Sequence, residues 1–510
     1  MPQTYIKRIL DARVYDVARE TPLDEALLLS ERLNCRVLLK REDLQPVFSF
    51  KLRGAYCKMS RLTPRQKERG VVAASAGNHA QGVAVAAQQL GISATIVMPQ
   101  TTPSIKVEGV RSRGAKVVLL GDSFEAAAEH ARELEAEKGL IFVHPFDDCD
   151  VIAGQGTIGM EIVRQHPEPL DAVFVPVGGG GLLAGIAAYI SYVWPGTRVI
   201  GVEPEDAACL KLALEKGRRA VLKEVGLFAD GCAVAQVGKE PFRVVRDIVS
   251  EVITVSTDEM CAAIKDIFED TRSIAEPAGA LALAGLKKYA DRQSVQGQSL
   301  VAVVSGANTN FDRLRYISER SEVGEDREAV ISVSVPECPG SFRKFCGALG
   351  RRNITEFNYR YSDANSARVF VGLSVVPGGD DLQSLLLSLI EQGYQAEDLT
   401  SNEVAKLHVR HMVGGHAPPD LADERIYRVE FPERPGALLT FLNSLGQRWN
   451  ISLFHYRNHG AAYGRILLGV QVPQSERAAF RRVLKGIDFR YWEESENRAY
   501  QLYLGGESTQ

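Results

Sequence analysis

The sequence predicts an α/β protein: open, mostly parallel sheets flanked by helices, followed by a duplicated α+β C-terminal part. Three observations carry that expectation. Short β-branched runs alternate with helical patterns from about residue 35 to 310, glycine-bearing turns sit where several runs end, and two segments after Asn310 resemble each other. Such alternation implies parallel strands whose crossover helices cover both sheet faces.

The strands expected, in order, are Val37–Leu39, Val71–Ala74, Thr95–Met98, Lys116–Leu120, Ala172–Val177, Val199–Val202 and Leu300–Val304. Each is a short β-branched run of the kind found in sheets buried on both faces. Gly82–Leu90, Phe124–Glu137 and Leu182–Val193 read as helices between them. The stretch Ala172–Thr197 carries no charge and is long enough to cross a bilayer,. Four consecutive glycines interrupt it, however, so a buried strand, a glycine turn and a buried helix explain it and a membrane span is rejected,.

A charged stretch, Arg313 to Glu328, reads as a helical neck or linker. Beyond it, Val335-Pro-Glu-Cys-Pro-Gly-Ser-Phe and Asn353–Arg360 are echoed by Phe431-Pro-Glu-Arg-Pro-Gly-Ala-Leu and Asn450–Arg457. Pro339 matches Pro435 and Asn353 matches Asn450, a nearly constant offset that marks an internal duplication,. Each copy sets Pro-Gly between a strand and a helix, where backbone N–H groups can meet a ligand carboxylate. A pair of interaction modules without a ligand is the other reading.

A chain of 510 residues has room for two to four domains, each with its own core,. Its 45% hydrophobic and 24% charged content is that of an ordinary globular protein,. A net charge of −4 provides neither a basic footprint for nucleic acid nor a polybasic patch for membranes, which leaves small-molecule chemistry as the default,. The eight cysteines include no CxxC pair, so neither a zinc cluster nor a redox motif is indicated,. Unpaired thiols suit a reducing cytoplasm, and Met1–Leu10 lacks the features of a secretory signal,.

Four motifs carry candidate chemistry. In Ser49-Phe-Lys-Leu-Arg-Gly-Ala, Lys51 is flanked by Phe48, Phe50 and Leu52. Lysines are usually solvated; partial burial disfavours the ammonium form and frees the amine for a Schiff base. Ser75-Ala-Gly-Asn-His-Ala-Gln-Gly follows the strand Val71–Ala74. It is either an ordinary N-cap or an anion site whose backbone N–H groups take a carboxylate, with Asn78 able to donate to a neighbouring oxygen. Gly178, Gly179, Gly180 and Gly181, then Leu182, join a buried strand to a helix. Glycines let amides approach a phosphate closely, and four in a row is costly for a plain connection. Neither a Rossmann fingerprint nor a P-loop lysine accompanies them. Ser305-Gly-Ala-Asn, after Leu300–Val304, is structurally a turn, and its serine can hydrogen-bond a ring nitrogen without carrying charge,.

The order of these motifs is more specific than any one of them. Together with SFKLRGA, SAGNHAQG, VPVGGGGL, Glu203-Pro204, the AEPAGALALAG run at Ala275–Gly285 and the duplication, nearly the whole chain closely resembles the biosynthetic threonine deaminases (threonine ammonia-lyases). These belong to the tryptophan-synthase-β-like, fold-type II pyridoxal-phosphate family. The resemblance implies a two-lobed catalytic domain over 1–316 and a neck at 317–328. It further implies two α+β ACT-like regulatory domains, at 329–401 and 424–494, joined by a linker at 402–423. By the same resemblance, Lys51 binds pyridoxal 5′-phosphate as a Schiff base, Asn78 meets its 3′-oxygen and Ser305 its pyridine nitrogen. Gly178, Gly179, Gly180, Gly181 and Leu182 would hold its phosphate, and Ser75, Ala76, Gly77, Asn78 and His79 the carboxylate of L-threonine.

The implied reaction is β-elimination, the first step of isoleucine biosynthesis. Lys51, displaced by threonine, removes the Cα proton, the cofactor stabilises the carbanion, and its phosphate protonates the departing hydroxyl; 2-oxobutanoate and ammonia result. A neutral Ser305 at the ring nitrogen favours elimination over transamination. Glu276 either faces the ring or is a structural carboxylate. Glu203 and Ala207 match part of a cation site of related serine racemases and dehydratases, but Cys209 stands where those often carry aspartate, so no metal is expected. A cytoplasmic homotetramer is also implied, inhibited by isoleucine and opposed by valine, with no nucleic-acid or membrane partner. Two other readings compete: a serine dehydratase or racemase on the same scaffold, and a non-catalytic amino-acid sensor, against which the retained lysine, glycine loop and serine argue.

Overall fold

The structure, a computed structural model, describes residues 2–102, 104–121, 124–325, 327–350, 352–361, 366–376, 381–407, 409–412, 421–432, 437–445, 448–457, 463–487 and 489–504. They form two units, Met1–Gly324 and Glu325–Gln510.

The first unit holds two sheets. One contains β1 (Leu23–Glu25), β2 (Arg36–Arg41), β7 (Ala172–Pro176), β8 (Arg198–Pro204), β9 (Glu251–Val255) and β10 (Ser299–Val304), in the order β1-β2-β10-β7-β8-β9. Only the β1–β2 pair is antiparallel. The other is fully parallel, in the order β5-β4-β3-β6, with β3 (Val71–Ala74), β4 (Ala94–Met98), β5 (Lys116–Leu119) and β6 (Ile141–Phe142). Each predicted strand is present. The three not expected are β1, β6 and β9: the first two span only three and two residues, and β9 mixes Glu251 and Thr254 into its apolar run.

Register places the site. β10 pairs with β2 from Ser299↔Arg36 to Val304↔Arg41, and with β7 from Leu300↔Ala172. The turns after β10 and β7 therefore leave the large sheet at one carboxyl edge, where open parallel sheets bind ligands. Behind that edge, helix Gly181–Val193 packs backbone-to-backbone on helix Cys149–Gln165: a Cβ on Gly185 would stand 2.5 Å from the Ile152 carbonyl oxygen. The uncharged stretch read as strand, turn and helix folds as β7, a glycine turn and this helix. Among the described residues, no helix is long and apolar enough to cross a membrane.

The second unit is one antiparallel sheet ordered β14-β11-β13-β12-β16-β17-β15-β18. Its first repeat is β11 (Glu328–Pro336), β12 (Ile354–Arg360), β13 (Ser366–Ser374) and β14 (Gln395–Asp398). The second is β15 (Glu424–Pro432), β16 (Asn450–Arg457), β17 (Tyr463–Gln471) and β18 (Arg490–Glu493). The order reads the same from either edge, as the duplication requires, and β12 pairs with β16 at the centre. A shared core takes Phe345 and Phe357 from the first repeat and Phe441, Phe454 and Phe480 from the second. Gly340 adopts a left-handed φ of 91° before helix Ser341–Ala348; its counterpart in the second repeat, Pro435-Gly436, lies outside the described residues.

Candidate active site

Lys51 opens the helix Lys51–Ser60. Its residue keeps some solvent access, yet protein surrounds the amine, whose Nζ donates to the Pro145 carbonyl oxygen at 3.3 Å. Burial lowers its pKa to about 8, against the opposing pull of Cys232 and Glu276,. Beneath it, Arg53 is held by a wholly buried ionic cluster. Its Nε meets Glu42 Oε2 at 2.8 Å and its Nη1 meets Glu161 Oε1 at 2.6 Å, while Lys40 Nζ lies 2.6 Å from Glu161 Oε2. The start of the lysine helix is thus tied to a rigid base.

The four motifs converge on this lysine. Phe50 N donates to Ser305 O at 3.2 Å and Ala307 N donates to Phe48 O at 2.9 Å, which zips the lysine turn to the serine turn. Phe48 takes a left-handed φ of 53°, a strained conformation for an aromatic residue that this zip holds in place,. Helix Asn78–Leu90 comes so close that a Cβ on Gly82 would lie 3.0 Å from the Lys51 carbonyl carbon. Ser75 to Asn78 remain partly accessible, whereas His79 is buried and its Nε2–H donates to the Val143 carbonyl oxygen at 2.8 Å. Burial and the Lys51 charge bring that imidazole down to about 3, so it is neutral and its Nε2 is turned to the backbone. Ser305 Oγ is buried and donates to Ala278 O at 3.2 Å.

The glycine turn has no room for side chains. A Cβ on Gly179 would lie 2.2 Å from the Phe146 ring, one on Gly181 would lie 2.9 Å from Phe146 O, and one on Gly178 would lie 2.9 Å from Cys232 Cα. Gly180 has a φ of 87°, the left-handed region glycine occupies without penalty,.

The segment His144–Asp148 carries much of this geometry and went unassigned in the sequence. His144 Nδ1 accepts from Phe146 N at 3.2 Å and Asp147 N at 2.8 Å, and burial lowers its pKa to about 4, so the neutral ring shapes the turn. That turn points Pro145 O at Lys51 and lays Phe146 under the glycines. Asp147 caps the helix Lys239–Val245 through Lys239 N and Glu240 N, and Asp148 caps Cys149–Gln165. The only signal for it was a pair of aspartates before a helical pattern.

Glu203 accepts from Leu210 N at 2.8 Å and Lys211 N at 2.9 Å, with burial raising its pKa to about 7. The Cys209 thiol donates to Gly178 O at 3.4 Å.

A covalently attachable amine, a side-chain-free turn at a helix N-terminus and a buried hydroxyl on one sheet edge fit a phosphate-bearing carbonyl cofactor, which places the fold and site among pyridoxal-phosphate enzymes. Comparison with known proteins agrees. Residues 14–306 match the family model described as pyridoxal-phosphate dependent enzyme, and 319–409 and 417–504 match the C-terminal regulatory domain of threonine dehydratase. The chain is 56% identical over 503 residues to L-threonine dehydratase biosynthetic IlvA of Burkholderia multivorans, covering 98% of this chain and 99% of the relative. It is 51% identical over 502 residues to the Escherichia coli K12 protein of that name, covering 98% and 97%. Among solved structures, the processed form of threonine deaminase isoform 2 from Solanum lycopersicum aligns with a TM-score of 0.62 at 48% identity, over 63% of this chain and 93% of that one. Maize serine racemase aligns with a TM-score of 0.58 at 31% identity, over 61% and 95%. The chain belongs to the biosynthetic threonine dehydratase family of pyridoxal-phosphate-dependent enzymes.

The second unit has a narrow cleft of its own, of about 20 Å³, between the repeats. Gly340 and Phe342 line it from the first repeat, and Leu442, Trp449, Asn450 and Phe480 from the second. Nearby, Glu337 accepts from Tyr359 OH at 2.6 Å and from Asn450 Nδ2 at 2.8 Å, joining the two copies.

Proposed function

We propose that this protein converts L-threonine to 2-oxobutanoate and ammonia, and that its C-terminal unit lets isoleucine inhibit the reaction and valine oppose that inhibition. The observation that carries the catalytic part is the Lys51 amine, buried and tuned down to about 8 beside a glycine turn without space for side chains. At pH 7 an amine with that pKa is about one-tenth neutral, against well under a thousandth for an ordinary lysine,.

In this reading Lys51 holds pyridoxal phosphate covalently, Gly178 to Leu182 receive its phosphate, Asn78 its 3′-oxygen and Ser305 its ring nitrogen. The bound cofactor supplies the electron sink for charge left at the substrate Cα. Backbone and side-chain donors of the Ser75 to His79 segment, at the start of a helix, bind the substrate carboxylate and orient the Cα–H bond. Lys51 Nζ, freed when the threonine amine takes its place, takes the Cα proton. The β-hydroxyl takes up one proton, balancing the one removed from Cα, and leaves as water; hydrolysis of the released enamine yields the oxo acid and ammonia. Ser305, uncharged, places no carboxylate at the ring nitrogen.

The cleft between the repeats supports the regulatory reading: Phe342, Leu442, Trp449 and Phe480 give it an apolar side, and helix Ser341–Ala348 begins at its edge, where a carboxylate is favoured,. The catalytic domain is taken as 1–316, the neck as 317–328, and the regulatory domains as 329–401 and 424–494. A cytoplasmic homotetramer completes the reading.

One experiment tests reaction, substrate and regulation: threonine saturation curves with and without isoleucine, with serine as the competing substrate. Preferential turnover of threonine and a rightward shift of its curve by isoleucine are expected. Faster serine turnover, or formation of D-serine, overturns the substrate assignment. Isoleucine sensitivity that survives deletion of residues beyond about 325 places the effector site elsewhere.

A further inference from the structure

Asn78 is one end of a small, partly buried network. Its Nδ2 donates to Glu276 Oε1 at 2.6 Å, and its Oδ1 accepts from Asn308 Nδ2 at 2.7 Å. Asn308 Nδ2 also donates to the Val47 carbonyl oxygen at 2.7 Å, and Asn308 N donates to Glu276 Oε2 at 3.1 Å. A carboxamide can turn end for end, so its orientation depends on partners that cannot exchange roles. Two such partners anchor this network. The Val47 carbonyl can only accept, so Asn308 must point its nitrogen there; the Asn308 backbone N–H can only donate, so Glu276 must accept from it.

With Asn308 fixed in this way, Asn78 has to turn its oxygen to Asn308 and its nitrogen to Glu276. Both Nδ2 hydrogens of Asn308 are used, whereas Asn78 uses one and keeps one,. Glu276 is buried, and Gly306 packs closely against it: a Cβ there would lie 2.7 Å from its Oε1. Burial and Asp230 raise the Glu276 pKa to about 7, while the two donors it accepts pull the other way.

We propose that Asn308 and Glu276 are positioning residues, which together hold the Asn78 amide so that its spare N–H is kept for the 3′-oxygen of the bound cofactor. The proposal rests on the reading of Asn78 as the residue that meets that oxygen. It gives Asn308 a role and decides between the two readings of Glu276: the carboxylate acts through Asn78.

The test compares holoenzymes carrying N308D, N78A and both. Asn308→Asp is isosteric but sets an acceptor against Asn78 Oδ1 and Val47 O, so a purely space-filling Asn308 would tolerate it. We expect N308D to shift the visible absorption of the bound cofactor and to weaken cofactor affinity, measured by reconstitution, by about tenfold. In the N78A background the same change should cost no more than about twofold. Wild-type absorption and affinity in N308D, or an equal loss in both backgrounds, overturns the positioning role alone. An N78A enzyme that binds cofactor as the wild type does overturns the assignment of Asn78, and this role with it. Should N308D not fold by circular dichroism, N308A and E276Q carry the same test: the first removes a partner of Asn78, and the second turns one of the two acceptor oxygens of Glu276 into a donor that cannot serve both Asn78 Nδ2 and the Asn308 N–H. Each is then expected to lose affinity in the wild-type background and not in N78A.

Discussion

Lys40 and Lys51 are both enclosed by the same unit, and burial lowers the pKa of each, but their surroundings differ in kind. Lys40 lies 2.6 Å from Glu161 and donates to Thr21 O at 2.6 Å and Gln165 Oε1 at 3.0 Å. Its charge belongs to a closed cluster in which Lys40 and Arg53 face Glu42 and Glu161. Lys51 has a carbonyl at 3.3 Å and the Phe50 ring at 5.1 Å, and Ser75 to Asn78 of the neighbouring motif stay partly accessible. A matched buried charge stabilises a shape, whereas a buried amine without a matched anion is easily deprotonated and ready for chemistry.

The comparison is broken most directly at Lys51. Lys51→Ala should lower 2-oxobutanoate production by roughly 10³-fold or more, because attachment and proton transfer go together. Circular dichroism should show an intact fold, and borohydride should trap no cofactor on the variant. Production near the wild-type rate would move the chemistry to another group.

Next in size is the cluster. Arg53→Met leaves Glu42 and Glu161 buried without their shared cation, and should cost about 3–5 kcal/mol in urea unfolding,. Burial pushes the Glu42 acid up, but the Arg53 charge and hydrogen bonds outweigh it and hold the pKa below the usual range. A depressed acid stabilises the fold above its unfolded pKa and loses that contribution as pH falls through its folded value. The deficit of Arg53→Met should therefore be largest near neutrality and narrow in acid. A constant deficit at every pH would show that packing, not charge, is what Arg53 supplies.

A third measurement asks whether Lys51 is held against its own stability. In the apoprotein its pKa is about 8, while the unfolded chain has 10.5. Between those values the unfolded state binds more protons, so wild-type stability rises with pH. Lys51→Met should be the more stable protein at pH 7, by up to about 3 kcal/mol, and the gap should close between about pH 8 and 10.5. A gap that persists at pH 11 would assign the gain to better packing.

Most of the frame was legible because the patterns that encode it are local. β7 reads as five buried residues in a row, the glycine turn follows it directly, and the duplicated Pro-Gly and Asn motifs announced the repeats. The site was legible in its motifs but not in its joints. Nothing in the sequence says that Pro145 would meet Lys51, that Phe146 would lie under Gly179, or that Asn308 would span Val47 and Asn78. These contacts link residues far apart in the chain, and the participating atoms are mostly backbone carbonyls and N–H groups, which every residue carries. Arg53 is the same case: a charged residue within a helix reads as solvated, and only the fold shows Glu42 and Glu161 closing over it,.

The smallest effect is also the sharpest test of the comparison. Lys40→Met removes one cation yet leaves Arg53 gripping both carboxylates, with Tyr15 OH still 2.9 Å from Glu161 Oε1. A loss of about 1–2 kcal/mol is expected, less than for Arg53→Met. The cluster, balanced in the wild type, would then carry one uncompensated negative charge, and a carboxyl would respond by taking up a proton more readily. Keeping both carboxyls ionised beside a single cation is then less favourable in the folded state, so the variant loses stability relative to the wild type as pH rises. The Lys40→Met deficit should thus grow from about pH 4 toward neutrality, whereas the Lys51→Met gain shrinks only above about pH 8,. If Lys40→Met instead proved more stable than the wild type at pH 7, Lys40 too would be a strained amine, and pairing would no longer separate the two.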